Sequence, residues 1–178
     1  MRRWIASIAL ALGCGAAPAP RSLAPTATSP ALPDLRYPLL DGGTWASAEA
    51  RGKLVVLDVW ATYCKPCKDA FPRLGRLAEA RPDVVVIGLS VDEDDDVVRR
   101  YLREVPAAFS IARDRDLSIS RPPMNVAALP TLLVIDREGR VRLRRAEATN
   151  ADYDALPALL DQLAAEPDRA AGHRVDSQ

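Results

Sequence analysis

The chain has 178 residues, enough for one domain with extensions at its ends. Lys plus Arg and Asp plus Glu both total 24, so the net charge is zero and nothing in the balance calls for nucleic acid or an anionic membrane surface as a partner. Aromatic residues make up only 5%, but aliphatic runs are frequent enough to build a modest α/β core.

In chain order, "MRRWIASIALALGC" comes first: Arg2 and Arg3, then an apolar run from Trp4 to Leu12. Spanning a bilayer takes about 20 apolar residues, so this shorter run reads as a secretory signal. It ends in "ALGC", which resembles a bacterial lipobox with Cys14 as the lipid-modified new N-terminus. That anchor would hold the chain at a membrane surface, facing the periplasm. An ordinary signal cleaved within "GAAPA" is the alternative, and would leave a soluble periplasmic protein. The expected organisation is signal 1–14, a Pro/Ala-rich spacer 15–33, one domain over 34–165 and a polar, disordered tail 166–178.

Within the domain, "LRYPLLDGGTW" predicts a strand or hairpin around Asp41-Gly42-Gly43. "LVVLDVW" (54–60) is nearly all apolar, as a strand covered on both faces should be. From Cys67, apolar residues recur at Ala70, Phe71, Leu74, Leu77 and Ala78, a helical period. "VVVIGLSV" (84–91) predicts a second buried strand. "DEDDDVVRRYLREV" predicts a helix, acidic at its start and basic later, which suits the helix dipole better than a metal site. Then come a strand over 107–112, a turn-rich stretch, and the hairpin 131–136 and 141–145 joined through Gly139. "ADYDALPALLDQLAA" predicts one closing amphipathic helix weakened in its middle by Pro157. The sum is an α/β domain, a central mixed sheet flanked by helices on both faces.

The chemistry centres on "WATYCKPC", residues 60–67. With Cys14 assigned to a lipid, Cys64 and Cys67 are left as a pair, and in an exported protein they can cycle between dithiol and disulfide. Structural zinc needs four ligands, whereas the single histidine, His173, lies in the tail. Cu(I) held by two thiolates stays open, though the surroundings favour redox work. The pair follows a buried strand and begins a helix, so Cys64 is expected at the helix N-terminus, where N–H groups and dipole favour a thiolate. Lys65 and Lys68 add positive charge, and Pro66 in the first turn costs no hydrogen bond. Cys67, one turn on, is expected to face inward and resolve what Cys64 attacks.

Asp58 is a lone carboxylate within the apolar strand. It is either a solvent-side residue or a buried acid of raised pKa able to accept a proton from Cys67, and the second is favoured. Pro130, in "ALPT", either starts a strand or forms a cis bond that turns the backbone of Leu129 and Thr131 toward the cysteines. With Trp60 and Tyr63, these three are the expected substrate contacts.

"LVVLDVWATYCKPCKDAFPRL" and "ALPTLLVIDREGRV" resemble the thioredoxin superfamily, and within it the TlpA/ResA-like exported thiol–disulfide oxidoreductases. The likeness covers most of residues 34–160 and rests on WAxxCxPC, on Pro72 five residues after the second cysteine, and on Leu-Pro-Thr before a strand. It implies a thioredoxin fold, attack by Cys64, resolution by Cys67, a cis Pro130, and no metal or organic cofactor. The implied partners are disulfide-bearing exported proteins and a membrane reductant.

Three positions depart from the pattern. Tyr63 stands where Trp is usual. Ala70, beside Asp69, stands where members concerned with cytochrome c maturation often have Glu. Asp58 matches thioredoxin itself, where TlpA-like proteins commonly have Asn, so the proton acceptor moves from helix to strand. Proline before the second cysteine is shared with thioredoxin, whose potential is about −270 mV, and points to a reductase. Lys65 pushes the other way, which keeps an oxidant or isomerase as the alternative, alongside a Cu(I)-binding chaperone. A peroxiredoxin-like peroxidase lacks support, because "WATYC" does not match the Pro-Thr-Cys pocket of that family.

Overall fold

The computed structural model of the chain describes residues 23–26 and 31–167. The signal, Cys14, the first part of the spacer and the tail beyond 167 with His173 lie outside the described residues. A hairpin of β1 (Arg36–Pro38) and β2 (Thr44–Ala46) precedes β3 (Leu54–Trp60), α1 (Cys67–Ala80), β4 (Val84–Ser90) and α2 (Asp95–Glu104). Next come β5 (Ser110–Arg113), β6 (Thr131–Ile135), β7 (Val141–Ala146), α3 (Asn150–Asp154) and α4 (Leu156–Ala165).

The apolar run 54–60 becomes the central strand for the reason its composition suggests. All seven residues of β3 are buried, so neither face needs polar side chains. It pairs in parallel with β4, from Leu54↔Val84 to Trp60↔Ser90. On its other side it runs antiparallel to β6, from Val55↔Ile135 to Val59↔Thr131. The sheet order is β5-β4-β3-β6-β7, mixed as expected.

Alternation along these strands divides the core. Leu54, Val56, Val86, Leu132 and Val134 pack with Ala70, Leu74 and Leu77 of α1 and with Leu156 and Leu160 of α4. Their sequence neighbours Val55, Leu57, Val59, Leu133 and Ile135 pack with Tyr37 and Trp45 of the hairpin and with Ala50 and Ile119. Those last two sit on 3-10 turns, Ser47–Ala50 and Ser118–Ser120, and α2 adds the buried Val98 to the same cluster, so helices cover both faces as expected. Each large aliphatic side chain sealed this way contributes about 1.5–3 kcal/mol. The acidic run before α2 serves its start: Asp94 caps the helix, accepting from Asp96 N–H at 2.8 Å, and Asp95 and Asp96 fill the first turn.

Three elements differ from the sequence-based expectation. β5 begins at Ser110 rather than 107, because Phe109 turns its ring onto Phe71 of α1 (5.3 Å between centroids). The closing helix is two helices that meet at Ala155, and Pro157 falls in the first turn of α4, where its missing N–H costs nothing. Parts of the Pro/Ala-rich spacer lie on the domain. Leu23 is buried, Thr26 N–H donates to Arg142 O at 2.7 Å, and Leu32 N–H donates to Gly139 O at 2.8 Å. Ala31 bridges Arg140, so residues 31–32 sit against the turn before β7 and Thr26 against Arg142 at its start. On the opposite edge, Leu39 bridges Ala112 of β5 and Leu40 N–H donates to Ile111 O at 2.8 Å.

Candidate active site

Cys64 and Cys67 are joined as a disulfide with Cα atoms 5.4 Å apart, held in the turns between β3 and α1. Cys64 N–H donates to Ala61 O at 3.0 Å and Cys67 N–H to Cys64 O at 3.1 Å. The first helical residue is Cys67 and Pro66 is the N-cap, so Cys64 stands in the lead-in turn rather than on the helix, and Pro66 just outside it. The N–H groups of Cys67, Lys68 and Asp69 are taken by the carbonyls of Cys64, Lys65 and Pro66. What the site offers a Cys64 thiolate is therefore the dipole of α1 and the exposed cations Lys65 and Lys68.

The two sulfurs are not equivalent. Cys64 retains 7% exposure and Cys67 none, so only Cys64 can be approached from outside. Tyr63 beside it is 75% exposed. Thr62 is held down by Asp92, whose carboxylate accepts from Thr62 N–H (3.0 Å), Thr62 Oγ1 (2.7 Å) and Ser90 Oγ (2.8 Å). Beneath it, the fully buried Arg113 donates to Ser90 Oγ at 2.6 Å and to Asp92 O at 2.8 Å, and pairs with Asp95 at 2.8 Å. Arg115, then Arg113, holds the Asp95 carboxyl down to about 2. The sequence reading missed this whole support.

Asp58 is completely buried, which rules out a solvent-side placement. Across the sheet it faces Gly88 of β4 and Leu132 of β6. Gly88 has no room for a side chain, since a Cβ there would lie 2.9 Å from the Phe109 ring and 3.1 Å from Trp60 Nε1. The Tyr153 hydroxyl donates to Asp58 Oδ1 at 2.6 Å, and Oδ2 has no hydrogen-bond partner among the described residues. Burial pushes the carboxyl up to about 7, against the opposing pull of Tyr153. Tyr153 was also missed; its one local signal is a polar aromatic on the apolar side of "ADYDALPALL".

The Leu129–Pro130 bond is cis, as expected. Leu129 and Pro130 line an open groove of about 350 Å³ together with Pro66, Asp69 and residues 147–150. Thr131 stays out of it: it is buried, its hydroxyl donates to Ala128 O at 2.7 Å, and it sits between Val59 and Ala146 in the sheet. Trp60 is a second correction. It has no exposed surface and cannot touch a substrate, because its ring is packed edge-on against Phe71 (4.7 Å) and beside Tyr101 (5.3 Å). Ala70 is buried too, so α1 places no carboxyl under the disulfide at that position.

Comparison with known proteins agrees with this geometry. The thioredoxin-like family model matches residues 52–141. The thiol-disulfide oxidoreductase ResA of Bacillus thuringiensis subsp. konkukian is 32% identical over 104 residues, covering 57% of this chain and 60% of that one. The thioredoxin-like protein YneN of Bacillus subtilis is 29% identical over 114 residues, covering 62% and 66%. The chain thus spans 60–66% of the length of these relatives. A solved structure from Chlorobium tepidum, provisionally assigned as thiol:disulfide interchange protein DsbE, superposes with a TM-score of 0.70 at 28% identity, over 75% of this chain and 94% of that one. By the half of its length that the family model matches, and by the fold that carries the disulfide, this chain belongs to the thioredoxin-like family.

Proposed function

We propose that the chain is a thiol–disulfide oxidoreductase of the cell envelope that reduces disulfides in exported proteins. The observation that carries this is the asymmetry of the pair, with Cys64 at the surface and Cys67 sealed beneath it. In the reduced enzyme, the Cys64 thiolate attacks one sulfur of a substrate disulfide. A mixed disulfide forms, and the first substrate sulfur leaves as a thiolate that takes a proton from water. Cys67 then gives its proton to Asp58 and attacks Cys64 Sγ, leaving the enzyme as the disulfide. The second substrate sulfur is expelled as a thiolate that takes a proton from water, and Asp58 returns its proton to Cys67 when the pair is reduced again. A membrane dithiol returns two electrons and two protons to close the cycle. The groove beside Leu129 and Pro130 receives the substrate chain, with the exposed Tyr63 at its approach to Cys64. Export and membrane attachment rest on residues 1–14 as a signal and Cys14 as a lipid site; labelling with radioactive palmitate should mark the wild type and not Cys14→Ala.

The reduction potential of the Cys64–Cys67 couple tests the direction. A value below about −230 mV is expected of a reductant, and one above about −180 mV would make the protein an oxidant or isomerase. Cys64→Ser should abolish turnover, and Cys67→Ser should accumulate the mixed disulfide. Full disulfide reduction by Cys64→Ser would overturn the proposal.

A further inference from the structure

The mechanism above asks Asp58 to take a proton from Cys67, and a carboxyl has two oxygens on which to take it. Only one is free. Tyr153 Oη–H occupies Oδ1 at 2.6 Å, while Oδ2 is buried and without a hydrogen bond among the described residues. Tyr153 is itself buried and comes from α3, which is fixed at both ends. Thr149 and Asp152 form a reciprocal cap at its start, and Arg73 of α1 pairs with Asp154 at 2.8 Å at its end. Just before it, Ala148 N–H donates to Pro130 O at 3.1 Å, and residues 147–150 form one wall of the groove. One short helix therefore touches both the substrate groove and the buried acid.

We propose that Tyr153 is a positioning residue for this reaction: its hydroxyl pins Asp58 Oδ1, directs the proton from Cys67 to Oδ2, and ties the acid to the wall of the substrate groove. The proposal rests on the thiol–disulfide reading above. Tyr153 does not carry the proton itself, because burial and the neighbouring Asp58 push its phenol far above its ordinary range. It acts as a donor throughout. A donor aimed at a carboxylate favours the charged form, so Tyr153 holds the pKa of Asp58 below what burial alone would give.

The surroundings leave few competitors for this role. β4 and β6 present Gly88 and Leu132, and neither strand carries a charged residue. From α1 the titratable group at the inner side is Cys67 once reduced; Lys68, Asp69, Arg76 and Glu79 are exposed, and Arg73 is paired to Asp154. On α3, Asp152 faces Arg145 at 3.3 Å, and on α4, Asp161 pairs with Arg81.

The test is a carbon-13 NMR titration of the Asp58 carboxyl in the oxidised full-length chain, wild type against Tyr153→Phe. Loss of one charge-assisted hydrogen bond should move the midpoint up by about one pH unit; an unchanged or lowered midpoint overturns the proposal. Single-turnover release of the mixed disulfide should follow, with the Tyr153→Phe profile displaced to higher pH and its alkaline plateau kept. In an Asp58→Asn background the same substitution should displace nothing, and a residual displacement would show that Tyr153 acts elsewhere. If the wild type turns over no disulfide at all, the functional reading fails, while the carboxyl titration still decides Tyr153. Should Tyr153→Phe not fold, 3-fluorotyrosine at position 153 supplies a stronger donor. It should then lower the midpoint, and no lowering overturns the proposal.

Discussion

Asp58, near the end of β3, and Asp92, just past the end of β4, are buried carboxylates on neighbouring parallel strands. Asp92 gathers three donor groups, the Thr62 N–H, the Thr62 hydroxyl and the Ser90 hydroxyl, and through them fastens the loop that leads to Cys64. Asp58 has the Tyr153 hydroxyl on one oxygen and nothing on the other. Asp58 has no exposed surface and Asp92 keeps 8%, and the number of donors sets the two further apart. A carboxylate surrounded by donors becomes a clamp, whereas one left short of them holds its proton into the neutral range and can exchange it.

The largest effect should come from removing the proton store. The Asp58 carboxyl is raised from 3.8 to about 7 in the fold. The native state therefore keeps a proton that the unfolded chain has already released. This stabilisation is complete below about pH 4 and is lost as pH rises through about 7, a change on the order of 4 kcal/mol. Urea unfolding at pH 4 and pH 8 should show that loss in the wild type and not in Asp58→Asn. Equal pH slopes would erase the distinction between the two acids. Asp92→Ala should come next, at about 3 kcal/mol, because it leaves the Thr62 N–H and the Ser90 hydroxyl without their acceptor. Hydrogen exchange at Thr62 should quicken in step, and a protected Thr62 amide in that variant would mean that the clamp is elsewhere. Asp95 sharpens the comparison from the other side, since Arg115 and Arg113 depress its carboxyl to about 2. Its contribution is present above about pH 4 and lost as pH falls through about 2, the reverse of Asp58. Arg115→Gln should flatten that acid limb by a few degrees of Tm at most, because the pair is partly exposed and screened.

Features written in local spacing were legible beforehand. The cysteine pair, the lone Asp58 in an apolar run and the Leu-Pro-Thr before a strand all announce themselves within a few residues. The supports did not, because their partners are far apart along the chain. Tyr153 reaches Asp58 across 95 positions, Thr62 finds Asp92 across 30, and Arg113 finds Ser90 across 23. A tyrosine in an amphipathic helix or an arginine at a strand end carries no local mark of such a bond. Trp60 was misplaced because nearness to the motif stood in for exposure; α1 and α2 close over it through Phe71 and Tyr101. Composition marks residues 15–33 as a spacer, but which carbonyls receive Thr26 and Leu32 depends on residues more than a hundred positions away.

Those edge contacts, with their counterpart on the far strand, bear on how the sheet would meet an extended protein substrate of the kind proposed. Partly unfolded chains carry rows of unpaired N–H and C=O groups and readily add to an open sheet edge. Here Thr26 engages β7 at Arg142, Ala31 and Leu32 engage the turn that leads into it, and Leu39 and Leu40 engage β5. Under the proposed function, an extended substrate would find part of each edge already engaged and the groove beside Pro130 open. Finishing the sheet at its margins thus separates a transient encounter from templated aggregation.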